Sequence, residues 1–411
     1  MIAGRLRVAQ SRKTARWLGR VGPMVFIAVL ALVSLKFTQQ QTVAADQQST
    51  LSPLEQLGAE LFVDVNLSLN RKQACATCHD PDHAFADPRT SKAGRAVSTG
   101  DDGQSIGDRN APTLSYAHLT PPLTKRPDGT LMGGFFWDGR ADTLEDQAKG
   151  PFLNPVEMAM PDGASVGKRI LENEKYVARF KELFGPDVVL DPEQTFDAAA
   201  KALAAYERTS VFSPFDSKYD RWLRGEATLT PQEEFGRIVF ATWNCENCHR
   251  PRRLGDPGTE LFTNFEYHNI GVPANARVRT LNGKGERFVD AGLRDGAAAS
   301  DTTQAGKFKV PTLRNIAVTG PYMHNGVFEK LRTAIEFYNK YTSSRSTLQI
   351  NPETGAAWGE PEVADNISNA QLKTALSMNN MRVVALEAFL KTLTDKRYEH
   401  LLTAESGGEQ Q

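Results

Sequence analysis

A mainly α-helical chain built as two domains is predicted by three observations. The pattern Cys-x-x-Cys-His occurs twice, at Cys75-Ala-Thr-Cys78-His79 and Cys245-Glu-Asn-Cys248-His249, and the two copies use all four cysteines. Similar stretches, Gly58-Ala-Glu-Leu-Phe62 and Gly236-Arg-Ile-Val-Phe240, precede the copies, a weak internal repeat. Apolar residues recur at three and four across 165–184, 193–208, 329–341 and 371–394, while alternating, strand-like runs are scarce.

Taken in order, the chain opens with Arg5, Arg7, Arg12, Lys13, Arg16 and Arg20 ahead of an apolar run from Met24 to Leu35. Val43-Ala44-Ala45 then offers small residues suited to cleavage, so residues 1–45 are expected to be a signal peptide directing the chain to a bacterial periplasm. The run is short of the roughly 20 apolar residues of a membrane span, although an uncleaved inner-membrane anchor is the alternative. Ser52-Pro53-Leu-Glu55 and Thr230-Pro231-Gln-Glu233 carry capping boxes with proline at the first helical position, which start a helix in each unit. Segments 80–134, 250–310 and 343–368, rich in Gly, Pro, Asp and Asn, are expected to be long loops, and loops of that length in a compact domain usually serve a site. The expected division is an N-terminal domain over 46–212, a C-terminal domain over 213–402, and a flexible tail over 403–411.

Charge narrows the partners. The 48 basic and 49 acidic side chains nearly cancel, but seven basic and no acidic ones lie in the first 45 residues, so the remainder has a net charge of −8. A surface of that sign argues against nucleic acid and leaves a small molecule or a partly basic protein open.

The repeated pentapeptide is the attachment signature of c-type haem. Its thiols add across the two vinyl groups, and the adjoining imidazole becomes the proximal iron ligand. A redox disulfide or half of a zinc site would leave unexplained why histidine, present only seven times, follows both cysteine pairs. Two covalently bound haems c are therefore expected, in two cytochrome c-like domains whose long loops wrap them, with Cys75, Cys78, His79, Cys245, Cys248 and His249 as the binding residues.

Five further blocks occur in order: Phe136-Trp137-Asp-Gly-Arg140-Ala-Asp142, Leu144-Glu-Asp-Gln147-Ala-Lys-Gly-Pro151, Asn154-Pro155-Val156-Glu157-Met158, Phe308-Lys-Val-Pro-Thr-Leu-Arg314-Asn, and Gly320-Pro321-Tyr322-Met323-His324-Asn-Gly326. Together they resemble the bacterial di-haem cytochrome c peroxidase family over most of the chain beyond residue 45. The resemblance implies that Glu157 is the acid over the peroxide-binding haem, able to take a proton from peroxide and return it to the departing oxygen. It implies that Gln147 and Pro151 shape the same pocket, and that Trp137 lies between the haems as an electron relay. It further implies a calcium ion near the haem interface, held by Asn110, Thr319 and the carbonyl of Pro321, oxygen donors that suit a hard cation.

Three departures point within that family to its MauG-like branch. Fourteen residues beyond His324, where other members carry a methionine ligand, stands Tyr338, whose phenolate would favour oxidised iron and lower the potential of the second haem. Tyr341 and Met323 are the alternative ligands. Between His79 and Trp137 only His83 and His118 occur, and Arg95 stands where a removable distal histidine would fall, so the first haem is expected to be open. Trp243, two residues before Cys245, matches a tryptophan that passes oxidising equivalents to a protein bound outside, or else closes the haem cleft.

The resulting expectation is a di-haem peroxidase that reduces hydrogen peroxide at the first haem, holds one oxidising equivalent on the second, and draws electrons from an external donor: a small molecule, a cytochrome, a cupredoxin or a specific protein. Oxidation of a partner protein's side chains for cofactor maturation and simple electron carriage are the alternatives. A redox sensor sharing the fold is a weaker third.

Overall fold

In the computed structural model, residues 51–251, 259–299, 301–373 and 376–402 are described; the expected export segment 1–45 and the tail 403–411 lie outside them. Ten helices of six or more residues organise these segments: α1 (Pro53–Phe62), α2 (Leu144–Leu153), α3 (Gly163–Leu171), α4 (Glu174–Phe184), α5 (Pro192–Glu207), α6 (Lys218–Leu223), α7 (Pro231–Thr242), α8 (Ala276–Leu281), α9 (Leu331–Asn339) and α10 (Asn380–Lys391). Among the described residues, strand is confined to two antiparallel pairs of two residues each. β1 (Thr124–Lys125) pairs with β2 (Leu131–Met132), and β3 (Tyr267–His268) pairs with β4 (Phe308–Lys309). Among the described residues no helix is long and apolar enough to cross a membrane.

Both expected capping boxes form. Ser52 and Glu55 cap α1 reciprocally, and Thr230 and Glu233 do the same for α7. The helix expected over 165–184 is instead two, because Asn173 leaves helical geometry to accept the Lys175 amide and starts α4 afresh. The stretch 371–394 likewise reduces to a short turn at Asn369–Leu372 and the separate α10, started by Asn379. Residues 193–208 and 329–341 correspond closely to α5 and α9, the latter continued by a tighter turn over Lys340–Thr342.

From Ser52 onward the chain is one compact unit, and its apolar interior falls into two large clusters. The first draws on residues between Leu57 and Phe212, the second on residues between Tyr219 and Leu393. Each is built on one close helix pair, α1 with α5 and α7 with α10. The glycine of each repeat explains the close approach. A Cβ on Gly58 would lie 2.0 Å from the Ala202 carbonyl oxygen, and one on Gly236 only 1.9 Å from that of Ala385. Only glycine lets these backbones touch.

A buried polar lattice ties the two clusters together. Arg314, fully buried, donates to Asp220 at 2.6 Å and to the Glu260 carbonyl at 2.6 Å. Asp395 accepts from Tyr116 at 2.5 Å and Asn315 at 2.8 Å, which joins loops far apart in sequence. These pairings offset much of the cost of burying the groups, while Arg314 Nη2 and Asp220 Oδ1 have no hydrogen-bond partner among the described residues.

Candidate active site

The two pentapeptides are held in matching ways. Cys75–Cys78 forms one helical turn whose first carbonyl accepts the His79 amide at 2.9 Å, and the Cys245 carbonyl accepts the His249 amide at 2.8 Å. His79 Nδ1 lies 3.1 Å from the Phe85 carbonyl, and His249 Nδ1 lies 3.1 Å from that of Phe262, with the Pro311 carbonyl also acting on the His249 ring. Phe85 and Phe262 both adopt positive φ, 52° and 54°, which turns each carbonyl toward its imidazole. The loop behind each is braced alike: Thr113 donates to the Ala84 carbonyl at 2.5 Å and Thr312 to the Leu261 carbonyl at 2.7 Å. These threonines belong to a second repeat, Pro112-Thr113-Leu114 and Pro311-Thr312-Leu313, the sequence signal of this shared brace.

Both motifs open on a single internal cavity of about 510 Å³. Its wall also includes Asn110, Trp137, Gln147, Pro151, Glu157, Trp243, Thr319, Pro321, Met323 and Tyr338. All the site residues expected from sequence are thus brought to one space. The donor chemistry fits haem c. Burial pushes the thiols up, Cys75 and Cys245 to about 12 and Cys78 and Cys248 to about 11, so they sit there as uncharged sulfur, the form a thioether keeps. Burial lowers His79, and His249 to about 4, so each imidazole is neutral with Nδ1 engaged and Nε2 left as the metal-binding nitrogen.

Beyond this common scaffold the two sides of the cavity differ. Glu157 is on a tight loop after α2, a helix started by Thr143 and carrying Gln147 and Pro151 on its last two turns. Pro151 does not end α2, which runs two residues further. The Pro151 carbonyl accepts the Met158 amide at 3.2 Å, the Asn154 carbonyl accepts the Glu157 amide at 3.0 Å, and the Glu157 carbonyl accepts the Asp101 amide at 2.8 Å. Asn154 Nδ2 donates to Glu157 Oε1 at 2.6 Å. Burial raises the Glu157 carboxyl above its ordinary range, against the smaller lowering effects of Asn154 and of the Arg140 guanidinium. A second acid on this wall, Glu207 at the end of α5, is pushed by burial to about 8; nothing in its local sequence distinguishes it.

Across the cavity, Tyr338 occupies the last turn of α9. The residue is 37% accessible although it lies deep in the protein, and it lines the cavity. Burial, then the Cys248 and Cys245 thiols, raise its phenol pKa, and no described residue hydrogen-bonds its hydroxyl. Tyr341 is turned away, donating to the Ile270 carbonyl at 2.9 Å. Met323 does reach the cavity wall.

Of the histidines considered as distal ligands, neither lines the cavity. His83 pairs with Asp80 at 3.0 Å, and His118 lies beside Ser213 at 3.5 Å. Arg95 donates to the Gly320 carbonyl at 3.0 Å. Trp137 donates from Nε1 to the Asn110 carbonyl at 2.9 Å, while its own carbonyl accepts the Lys309 amide at 2.9 Å. Asn110 is joined to the segment carrying Thr319 and Pro321 through its amide, which donates to the His324 carbonyl at 2.8 Å. Trp243 donates to the Leu376 carbonyl, and the Arg382 guanidinium lies 4.5 Å above its ring.

The chain matches the family described as di-haem cytochrome c peroxidase over residues 52–228. It is 58% identical to the methylamine utilization protein MauG of Paracoccus denitrificans across 92% of this chain and 98% of that one. The chain belongs to the di-haem cytochrome c peroxidase family, in its MauG-like branch. It is also 30% identical to the cytochrome c551 peroxidase of Nitrosomonas europaea, over 83% of this chain and 80% of that protein. The solved di-haem peroxidase BthA of Burkholderia thailandensis superimposes with a TM-score of 0.73 at 34% identity, over 84% of this chain and 86% of that one. Membership brings two c-type haems and an oxidoreductase of di-haem peroxidase type, as expected from the paired motifs. An enzyme of this type is more than the electron carrier weighed above.

Proposed function

We propose that the protein is a MauG-like peroxidase that reduces hydrogen peroxide at the haem borne by Cys75, Cys78 and His79, with Glu157 handling the protons. The observation that carries this is the buried Glu157 on the cavity wall, hydrogen-bonded among the described residues through one oxygen only and with its carboxyl pKa raised. When bound, the haem supplies iron that accepts peroxide and the electrons that break its O–O bond. Reduction of peroxide to two waters takes two electrons and two protons. Asn154 fixes Oε1, which would leave Oε2 to take a proton from one peroxide oxygen and hand it to the other. The raised pKa of Glu157 makes its carboxylate a stronger base than an exposed one and so a better proton carrier for this exchange. The test is Glu157→Gln in the haem-loaded protein, followed by stopped-flow mixing with stoichiometric peroxide. Retention of the native rate would overturn the assignment.

On the same reading, Tyr338 is the sixth ligand of the haem borne by Cys245, Cys248 and His249, and Trp137 connects the two haems. Asn110, Thr319 and the Pro321 carbonyl hold calcium. Electrons come from an external donor met outside the inner membrane, in the periplasm. A second reading, oxidation of a partner protein's side chains, is favoured by Trp243, which touches both the cavity and the part-exposed start of α10, and by the 58% identity to a methylamine utilization protein.

A further inference from the structure

We infer that Lys309 is the counter-charge for a haem propionate and thereby a positioning residue for the cofactor pair. The inference rests on the two-haem reading of the cavity. Lys309, on β4, lines the cavity, and its side chain lies wholly within the protein, its remaining accessible surface being that of the cavity. An ammonium has three donors to satisfy. Among the described residues, the one hydrogen bond of Lys309 Nζ goes to a neutral partner, the Gly134 carbonyl.

The neighbouring charges do not supply what is missing. Among the described residues, the lysines and arginines lining the cavity are Arg109, Arg140 and Lys309. Arg109 is held by Asp290 through two contacts of 2.7 Å and by Asp138 at 2.7 Å. Arg140 takes the same Asp138 at 2.8 and 3.0 Å and lies 3.6 Å above the Phe136 ring. Asp138, the one anion that acts on Lys309, is therefore already shared by two guanidinium groups. A buried cation without its own anion is expensive, and burial, only partly offset by Asp138, pushes Lys309 down to about 7. Haem c carries two carboxylates on an otherwise apolar ring, and haems attached at the two motifs would share this cavity with Lys309. A propionate beside Lys309 supplies the missing charge and fills its free donors. Because the Lys309 amide also holds the Trp137 carbonyl, the contact would couple haem placement to that indole.

The test uses the full-length, haem-loaded protein with Lys309→Gln, which removes the charge and keeps a donor for Gly134, and Lys309→Arg, which keeps the charge. Haem content is counted by pyridine haemochrome, and both midpoint potentials are measured by spectroelectrochemistry. Loss of a cation beside a propionate stabilises oxidised iron. The expected result is therefore a downward shift of one midpoint potential in Lys309→Gln, and native potentials in Lys309→Arg. Two haems with unchanged potentials in Lys309→Gln, or equal shifts in both variants, would overturn the inference alone. Fewer than two haems in the unaltered protein would overturn the two-haem reading, and this inference with it. Should Lys309→Gln lose haem, retention of both haems in Lys309→Arg supports the charge requirement, and loss there as well refutes it.

Discussion

The halves around His79 and His249 share a proximal design and part company on the facing wall. Each imidazole meets a backbone carbonyl at 3.1 Å, each carbonyl belongs to a phenylalanine at positive φ, and each helix pair crosses at a glycine. The facing groups are Glu157 with Asn154 on one side and Tyr338 on the other. The contacts from behind are thus similar, apart from the added Pro311 carbonyl at His249, and on the proposed reading the difference in chemistry comes from in front: a proton-exchanging acid against a phenol able to bind iron.

The most damaging way to break this contrast is Glu157→Gln, which keeps size and hydrogen bonding but cannot carry a proton. Peroxide consumption is expected to fall by about 10²–10⁴-fold, with both haems still attached, as stopped-flow absorbance would show. Next comes Tyr338→Phe. If the phenolate binds the second iron, ferric electron paramagnetic resonance loses its low-spin signal, and that haem's midpoint potential rises by on the order of 0.1 V, within the ≈ 0.8 V that axial ligands command. An unchanged spectrum would transfer the ligand role to another group such as Met323.

The shared scaffold offers a matched pair of changes. Gly58→Ala and Gly236→Ala each force a methyl against a carbonyl oxygen. Chemical denaturation should show a loss of about 1–3 kcal/mol for each. Markedly unequal losses would mean that the halves are less alike than their crossings suggest. The smallest effect expected is from Asn154→Ala, roughly fivefold in rate, from loss of one hydrogen bond worth about 1 kcal/mol. Its signature is in the pH profile. Glu157 is raised by burial and Asn154 pulls it partly back, so removing Asn154 raises it further. The base form is present only above that pKa, so activity should begin to fail at a higher pH as the solution is acidified. A profile that stays in place would separate Asn154 from the proton chemistry.

Much of this arrangement was legible in the sequence. The pentapeptides, the glycines before them and the two capping boxes are local signals, and local physics satisfied them. Glu157 and Tyr338 were found only through resemblance to a family, since a lone glutamate or tyrosine announces nothing by itself. Helix α2 was hidden because Gly150 and Pro151 in its last turn read as a terminator, and the break before α4 because Asn173 stands within an unbroken apolar rhythm. The partners of His79 and His249 are backbone carbonyls, which have no letter in the sequence. The isolation of Lys309 was also illegible, since it depends on Asp138 being taken by Arg109 and Arg140.

Trp137 is pinned at the indole nitrogen by the Asn110 carbonyl and at its own carbonyl by the Lys309 amide. A ring so held has little room to shift when its charge changes, and its hydrogen-bond acceptor is already aimed at the nitrogen where positive charge would gather. Were Trp137 to carry a hole, as the proposed relay requires, these dipoles would be set before the charge arrived, and the reorganisation needed would be correspondingly small.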